Sequence, residues 1–397
     1  MTFGEHDRFG RLAAPGIAAL ALIFALAAGC DHLTLVAVAE DAAPDTDSDI
    51  DIDTDTDTDT DADGDGDGGP VDEVIEMDCS ACEGVGPDLE SMLCAIDLCD
   101  FGVVSQNQYT TLGDMVGSAG GCTLEDTYEA VEHYGFASND LAPKLNDSYA
   151  MMSTGLVEAS DNSTACWVAE EGVYVDDPFT NDLCWDADVG KHACPIYDAM
   201  KWKITMTAPE DAKAFRLKYV FFSAEFDDFI GASFNDKFYV ILEADSTEGG
   251  AETVINFTEC REPEWFDMQC PGPEYGCEAG EYLCYVAVNS ALSECCWYPQ
   301  GSGFASNPDD PPCPGGTAQT DISGTGFTCA VDAASDGNLT GSSTGWLQTA
   351  WPIDGGETFS LTFHIHDSED QVFDSTVIID SFQFLRTFDQ GTIVVIE

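Results

Sequence analysis

Seven oxygen-bearing side chains fall in two short stretches of the chain. Asp227, Asp228, Asn235 and Asp236 crowd one of them and Asp367, Asp370 and Asp374 the other, each after a run of alternating apolar residues. Carboxylates gathered at a strand end repel one another unless something neutralises them. The chain carries 75 Asp and Glu against 12 Lys and Arg, a formal net charge of −63, so its own basic side chains are too few for the task. Calcium, a hard cation that takes about six to eight oxygens, suits these residue types. The plain alternative is a pair of solvated turns, where Asp and Asn are common.

Other arrangements point to other chemistries. Gly341-Ser-Ser-Thr-Gly345 has the spacing of a nucleophile elbow around Ser343. An elbow follows a buried strand and opens a helix; the residues before this one are polar, so a flexible loop is expected. His364 and His366 stand two apart on a strand and share a face, as a metal pair would. They occupy the polar positions of the alternation, with no thiolate or third histidine nearby, and surface placement is expected. Cys79-Ser-Ala-Cys82 has redox-motif spacing, but among 17 cysteines a structural bridge is the expected role. A hydrolase could draw a carboxylate pair from Glu225, Asp236 and Asp367 at the rim of a sheet. His-Glu-x-x-His and phosphate-cradling loops are absent from the sequence, so binding or structural presentation is expected ahead of catalysis.

The compartment in which this chemistry would run is written at the N-terminus. Arg8 and Arg11 precede an apolar run over Leu12 to Ala28, which ends in Leu26-Ala-Ala-Gly-Cys30. This stretch resembles the lipobox of bacterial lipoproteins. The resemblance implies an exported protein with a signal peptide over residues 1–29, Cys30 as the lipidated first residue, and a bacterial cell-surface or outer-membrane location. The run is shorter than the roughly 20 apolar residues of a spanning helix. Between Asp45 and Asp67 every odd position is aspartate. Asp61, Asp63, Asp65, Gly66 and Asp72 match EF-hand positions, but Gly68 and Pro70 do not suit such a loop. With nothing apolar to bury, residues 30–78 read as an acidic disordered tether.

Cysteine parity agrees with export. Removing Cys30 leaves 16 cysteines, an even number that can all pair in an oxidising compartment. Five of them precede residue 150, three lie between 166 and 194, and eight run from Cys260 to Cys329. Two odd groups cannot close separately, so at least one bridge must leave each. The acidic excess also extends beyond the tether, since residues 79–397 hold 54 acids against 10 bases. Such a body repels phosphate backbones, and nucleic acid is not an expected partner. The expected partners are a membrane, through the N-terminal lipid, and an extracellular or periplasmic ligand.

The elements that must position the acidic loops are mostly strands. Leu89, Met92, Leu93 and Ile96 recur at helical spacing after Pro87, and Glu125 to Tyr134 suggests a second helix. Residues 79–144 therefore read as a small helical Cys-rich region. From Lys201 onward Phe215, Leu217, Tyr219 and Phe221 alternate, as do Phe359, Leu361, Phe363 and Ile365, and KFYVILE, EYLCYVAV, STVIIDSFQF and GTIVVI are rich in β-branched and aromatic residues. The expectation is a mainly β chain, an antiparallel β-sandwich or jelly-roll-like body over 145–397. A Cys-rich insertion over 258–330 interrupts it.

Residues 215 to 242, FRLKYVFFSAEFDDFIGASFNDKFYVIL, resemble the choice-of-anchor L domain of bacterial surface proteins. Ser223, Glu225, Phe234, Asn235 and Asp236 match that family's pattern, and Phe226 replaces a tyrosine. SYAMMSTG at 148–155 is similar to its Ser-Thr-Gly strand. HDSEDQVFDSTVIIDSFQF at 366–384 is similar to its closing run through Asp374, Ser375 and Asp380, with Ser381 in place of an asparagine. The resemblance implies surface display, and it brings the two acidic loops to one end of the sandwich.

Overall fold

The computed structural model describes residues 73–388 apart from 81, 83–84, 101, 117–121, 133–140, 158–166, 169–174, 180–182, 187–189, 226–232, 261, 263–265, 271–276, 289, 291, 294–324, 326, 328–340 and 372, and also residues 395–396. Cys30 and the aspartate tether lie outside these residues.

Two antiparallel sheets face each other. The main strands are β1 (Val104–Thr111), β2 (Tyr128–Val131), β3 (Tyr149–Ser153), β4 (Pro195–Thr207), β5 (Ala214–Ser223), β6 (Lys237–Glu243), β7 (Tyr282–Ala287), β8 (Leu347–Pro352), β9 (Thr358–Ser368) and β10 (Ser375–Leu385). One sheet runs β8-β5-β10-β3-β2, with Val395–Ile396 beyond β8. The other runs β7-β6-β9-β4-β1, with Phe257–Glu259 beyond β7. The expected sandwich is thus present.

The alternating residues form its core. Phe215, Leu217, Tyr219 and Phe221 of β5 share one buried cluster with Phe359, Leu361, Phe363 and Ile365 of β9. Phe215 stacks on Phe359 with ring centroids 5.5 Å apart, and Tyr219 lies 5.3 Å from Phe238. Each such side chain contributes about 1.5–3 kcal/mol by leaving water. The outward face of β5 and β10 is buried as well: Val220, Phe222 and Ile378 join Tyr149, Met151, Phe327 and Trp346 in a second cluster. Burial on both faces explains why Val220, Phe221 and Phe222, and Val377, Ile378 and Ile379, are apolar without a break.

The helix α1 (Leu89–Ala95) sits where its spacing places it. Asp88 caps it, accepting from the Glu90 and Ser91 N–H groups at 3.0 Å. It ends in a Schellman turn: Leu98 N donates to Leu93 O, Asp97 N donates to Cys94 O, and Asp97 takes a φ of 69°. The second helix is not formed as expected. Leu124–Thr127 is a single 3₁₀ turn and Tyr128–Val131 is strand β2, because Tyr128 and Ala130 turn inward to the core. Strands β1 and β2 place part of region 79–144 in both sheets, so residue 144 marks no structural break.

Cys79 pairs with Cys99 and Cys82 with Cys94. The Cys79–Cys82 motif is therefore two halves of two structural bridges. Cys122 is also disulfide-bonded, and with the other four of its group taken, its bridge leaves the group as parity requires. Within the insertion Cys260 pairs with Cys284 and Cys270 with Cys277.

Candidate functional site

Inward-facing positions that are apolar along the strands turn polar at one end of the sandwich. Beyond Phe221 comes Ser223, before Phe238 comes Asp236, beyond Ile365 comes Asp367, and before Val377 comes Ser375. Four strand ends therefore deliver polar side chains to the space between the sheets. Ser223, Glu225, Asn235, Asp236, Asp367, Asp374 and Ser375 are all buried.

Asp236 is the hub. Its Oδ1 accepts from Ser368 N at 3.1 Å and its Oδ2 from Ser375 Oγ at 2.7 Å, so one carboxylate joins the end of β9 to the start of β10. Ser368 Oγ donates to Asn235 O at 3.0 Å. Asp236 N donates to Glu225 Oε2 at 3.3 Å, and Glu225 N closes a turn on Ser223 Oγ at 3.1 Å. Thr154 N donates to Ser375 O at 3.0 Å, and Ser375 N donates to Thr154 Oγ1 at 2.9 Å. A Cβ on Gly155 would lie 2.1 Å from Asp374 Oδ2, so the glycine is the space the carboxylate occupies. The two acidic loops thus meet.

Asp367 differs from Asp236. It is 1 % exposed, and neither carboxylate oxygen has a hydrogen-bond donor. Burial, and then repulsion from Asp236, Asp198 and Asp374, drives its pKa well up; the Thr154 hydroxyl, which completes no hydrogen bond to it, is the last and only opposing influence. Glu225 is raised by burial and by Asp236. Burial pushes Asp236 up to about 7 against the pull of Ser375 and Ser368. Buried carboxyls of this kind hold protons or a cation. Among the described residues no group of three or more His, Cys, Asp or Glu is disposed to hold a metal ion. Asp227 and Asp228 lie outside those residues.

Asp198 was not legible as a site residue. It interrupts β4 at an irregularity between Tyr197 and Met200, where its φ is 43°, and its Oδ1 accepts from Gln371 Nε2 at 3.1 Å and from Val168 N. Its one signal is an acid inside an otherwise alternating strand. Ser153, Thr154 and Gly155 read in the sequence only as a strand end, and Ser368 carries no signal there. Asp380, by contrast, lies away from the acidic end: its Oδ2 accepts from Lys144 N at 2.6 Å, and Asp97 is its acidic neighbour.

His364 and His366 are not on the surface. They are 1 % and 0 % exposed, because Tyr239, Tyr285 and the segment Asp177–Phe179 cover the outward face of this sheet. Burial lowers both pKa values and keeps the rings neutral. Asp177 Oδ2 lies 3.6 Å from His366 Nε2 and accepts from Tyr239 Oη at 2.5 Å. Burial alone would raise Asp177; His366 first, and Tyr239, act against it, and its pKa falls below the ordinary value.

Ser343 is not on a flexible loop either. Ser342–Ser343 is a short strand paired with β5, and Ser343 Oγ accepts from Gly345 N at 3.0 Å. Strand β8 follows rather than a helix, so no nucleophile elbow is formed. The hydrolase arrangement needs carboxyls open to substrate, and Glu225, Asp236 and Asp367 are each 1 % exposed or less.

No family model matches the chain, and neither the curated proteins nor the solved structures give a match, so its likeness to choice-of-anchor L domains rests on the motif residues alone.

Proposed function

We propose that this chain is a non-catalytic binding or display module, carried on a lipid at a bacterial cell surface, whose acidic end takes a calcium ion. The observation that carries the calcium reading is Asp367, a buried carboxylate with no donor on either oxygen. The Ser375 hydroxyl and the Ser368 backbone N–H satisfy Asp236, whereas Asp367 requires a proton or a cation. Asp367 would supply carboxylate oxygens together with one of its acidic neighbours, Asp236 or Asp374, since among the described residues three such groups do not converge on one point. Backbone carbonyls and water would complete a hard-cation shell; Asp227 and Asp228, which lie outside the described residues, are the further oxygen donors that the sequence offers. Calcium would compete with the protons that burial places on these groups.

The display half of the reading is supported by the lipobox-like Leu26–Cys30 stretch, the aspartate tether and the disulfides, which suit an oxidising compartment. It is also supported by the likeness to a surface-display family. A calorimetric titration of calcium into chelator-treated protein tests the site. The expected result is saturable heat with the wild type and none with Asp367→Asn. No heat with the wild type would refute it.

A further inference from the structure

The outward face of the second sheet holds a feature that the acidic end does not use. Lys237, the first residue of β6, is among the largest fully buried side chains of the protein. Its Nζ lies 2.9 Å from Asp267 Oδ1, and the two side chains are 1 % and 2 % exposed. Asp267 belongs to the Cys-rich insertion and is held by Tyr285 N, which donates to its Oδ2 at 3.0 Å. Tyr239 and Tyr285 pack beside the pair, 5.1 Å apart. His366 stands directly opposite Lys237 in the register of β6 and β9, and its Nδ1 has no hydrogen-bond partner.

We propose that Lys237 and Asp267 join in an intramolecular amide bond. Taking both ions out of water costs several kcal/mol each, which favours proton transfer from the ammonium to the carboxylate. The products, a free amine and a carboxylic acid, are the reactive forms. Contact at 2.9 Å supplies the proximity that makes an otherwise slow condensation effectively unimolecular. The Nζ lone pair attacks Cγ of Asp267. Negative charge collects on Oδ2, where the Tyr285 N–H already points, as a donor in an oxyanion hole would. The C–Oδ1 bond breaks, and the oxygen leaves as water with the two protons that the ammonium gives up. The neutral imidazole of His366 is the base that the register places beside the amine, to take one of those protons and return it to the departing oxygen. One C–N bond forms, one C–O bond breaks and one water leaves; nothing is oxidised or reduced. Cys260–Cys284 and Cys270–Cys277 close within the insertion, whereas this amide ties the insertion to the central part of the sandwich.

The test is peptide mapping of the full chain after reduction and alkylation. The expected result is a branched peptide containing Lys237 and Asp267, lighter by one water than its two parts, with no tryptic cleavage after Lys237. Lys237→Arg, which keeps the charge but not the amine, should yield the two linear peptides. Wild-type protein that is cleaved after Lys237 and gives an unbranched Asp267 peptide would overturn the proposal and leave an ion pair.

Discussion

Asp97 ends helix α1 in the left-handed conformation, where asparagine and glycine are the usual residues. It is buried against Asp380, and burial followed by repulsion from Asp380 pushes its pKa up to about 8. Burial raises Asp380 to about 6, despite bonds from Lys144 and Ser381. Both groups bind a proton more tightly in the folded chain than at the ordinary value of 3.8. The stability they contribute is complete below that value and is lost as pH rises through about 6 to about 8. Asp97→Asn keeps the shape, suits the left-handed position and removes one proton from the linkage. The variant should therefore melt above the wild type at high pH, with a shallower fall across this window, as thermal denaturation followed by circular dichroism would show. Residue chemistry was legible where strand alternation located it, as at Asp236 and Asp367. It failed at His364 and His366, because alternation gives the face of a strand but not whether another layer covers that face.

At the scale of elements, the most local signals held. Helix α1 has its cap at Asp88 and its apolar spacing from Leu89 to Ile96 within one stretch, and both are satisfied in place. The Glu125–Tyr134 stretch lacked a comparable stop signal, and pairing with β3 took Tyr128–Val131 into a sheet. Tertiary pairing of this kind overrides weak helix propensity. The bridges around α1 should matter more than its length suggests, since seven residues are too few for an autonomous helix. Replacing Cys82 and Cys94 together by serine opens a loop of sequence separation 12 and should cost about 3 kcal/mol. A urea denaturation midpoint that drops while the slope stays unchanged would show it; an unmoved midpoint would mean that packing alone holds the helix.

For the whole molecule, the two-sheet body was readable from alternation and turn residues. What was not readable is that β1 and β2 reach forward to join strands of both sheets, because pairing across long separations leaves no local trace. The proposed lipid anchor predicts that Cys30→Ser releases the protein from membranes or leaves it unprocessed, since serine offers no thiol to take a diacylglyceryl group and stable attachment needs more than one chain; equal partition of mutant and wild type would count against the lipid. The acidic end gives the most direct test of the function proposed for the body. Thermal melts of the chain should be compared near neutral pH with calcium in large excess and with a chelator. An ion that binds only the folded state adds about 2.7 kcal/mol when present at about a hundred times its dissociation constant. Calcium should therefore raise the melting temperature of the wild type and leave that of Asp367→Asn unmoved, whereas superimposed wild-type curves with and without calcium would contradict a calcium site between the sheets.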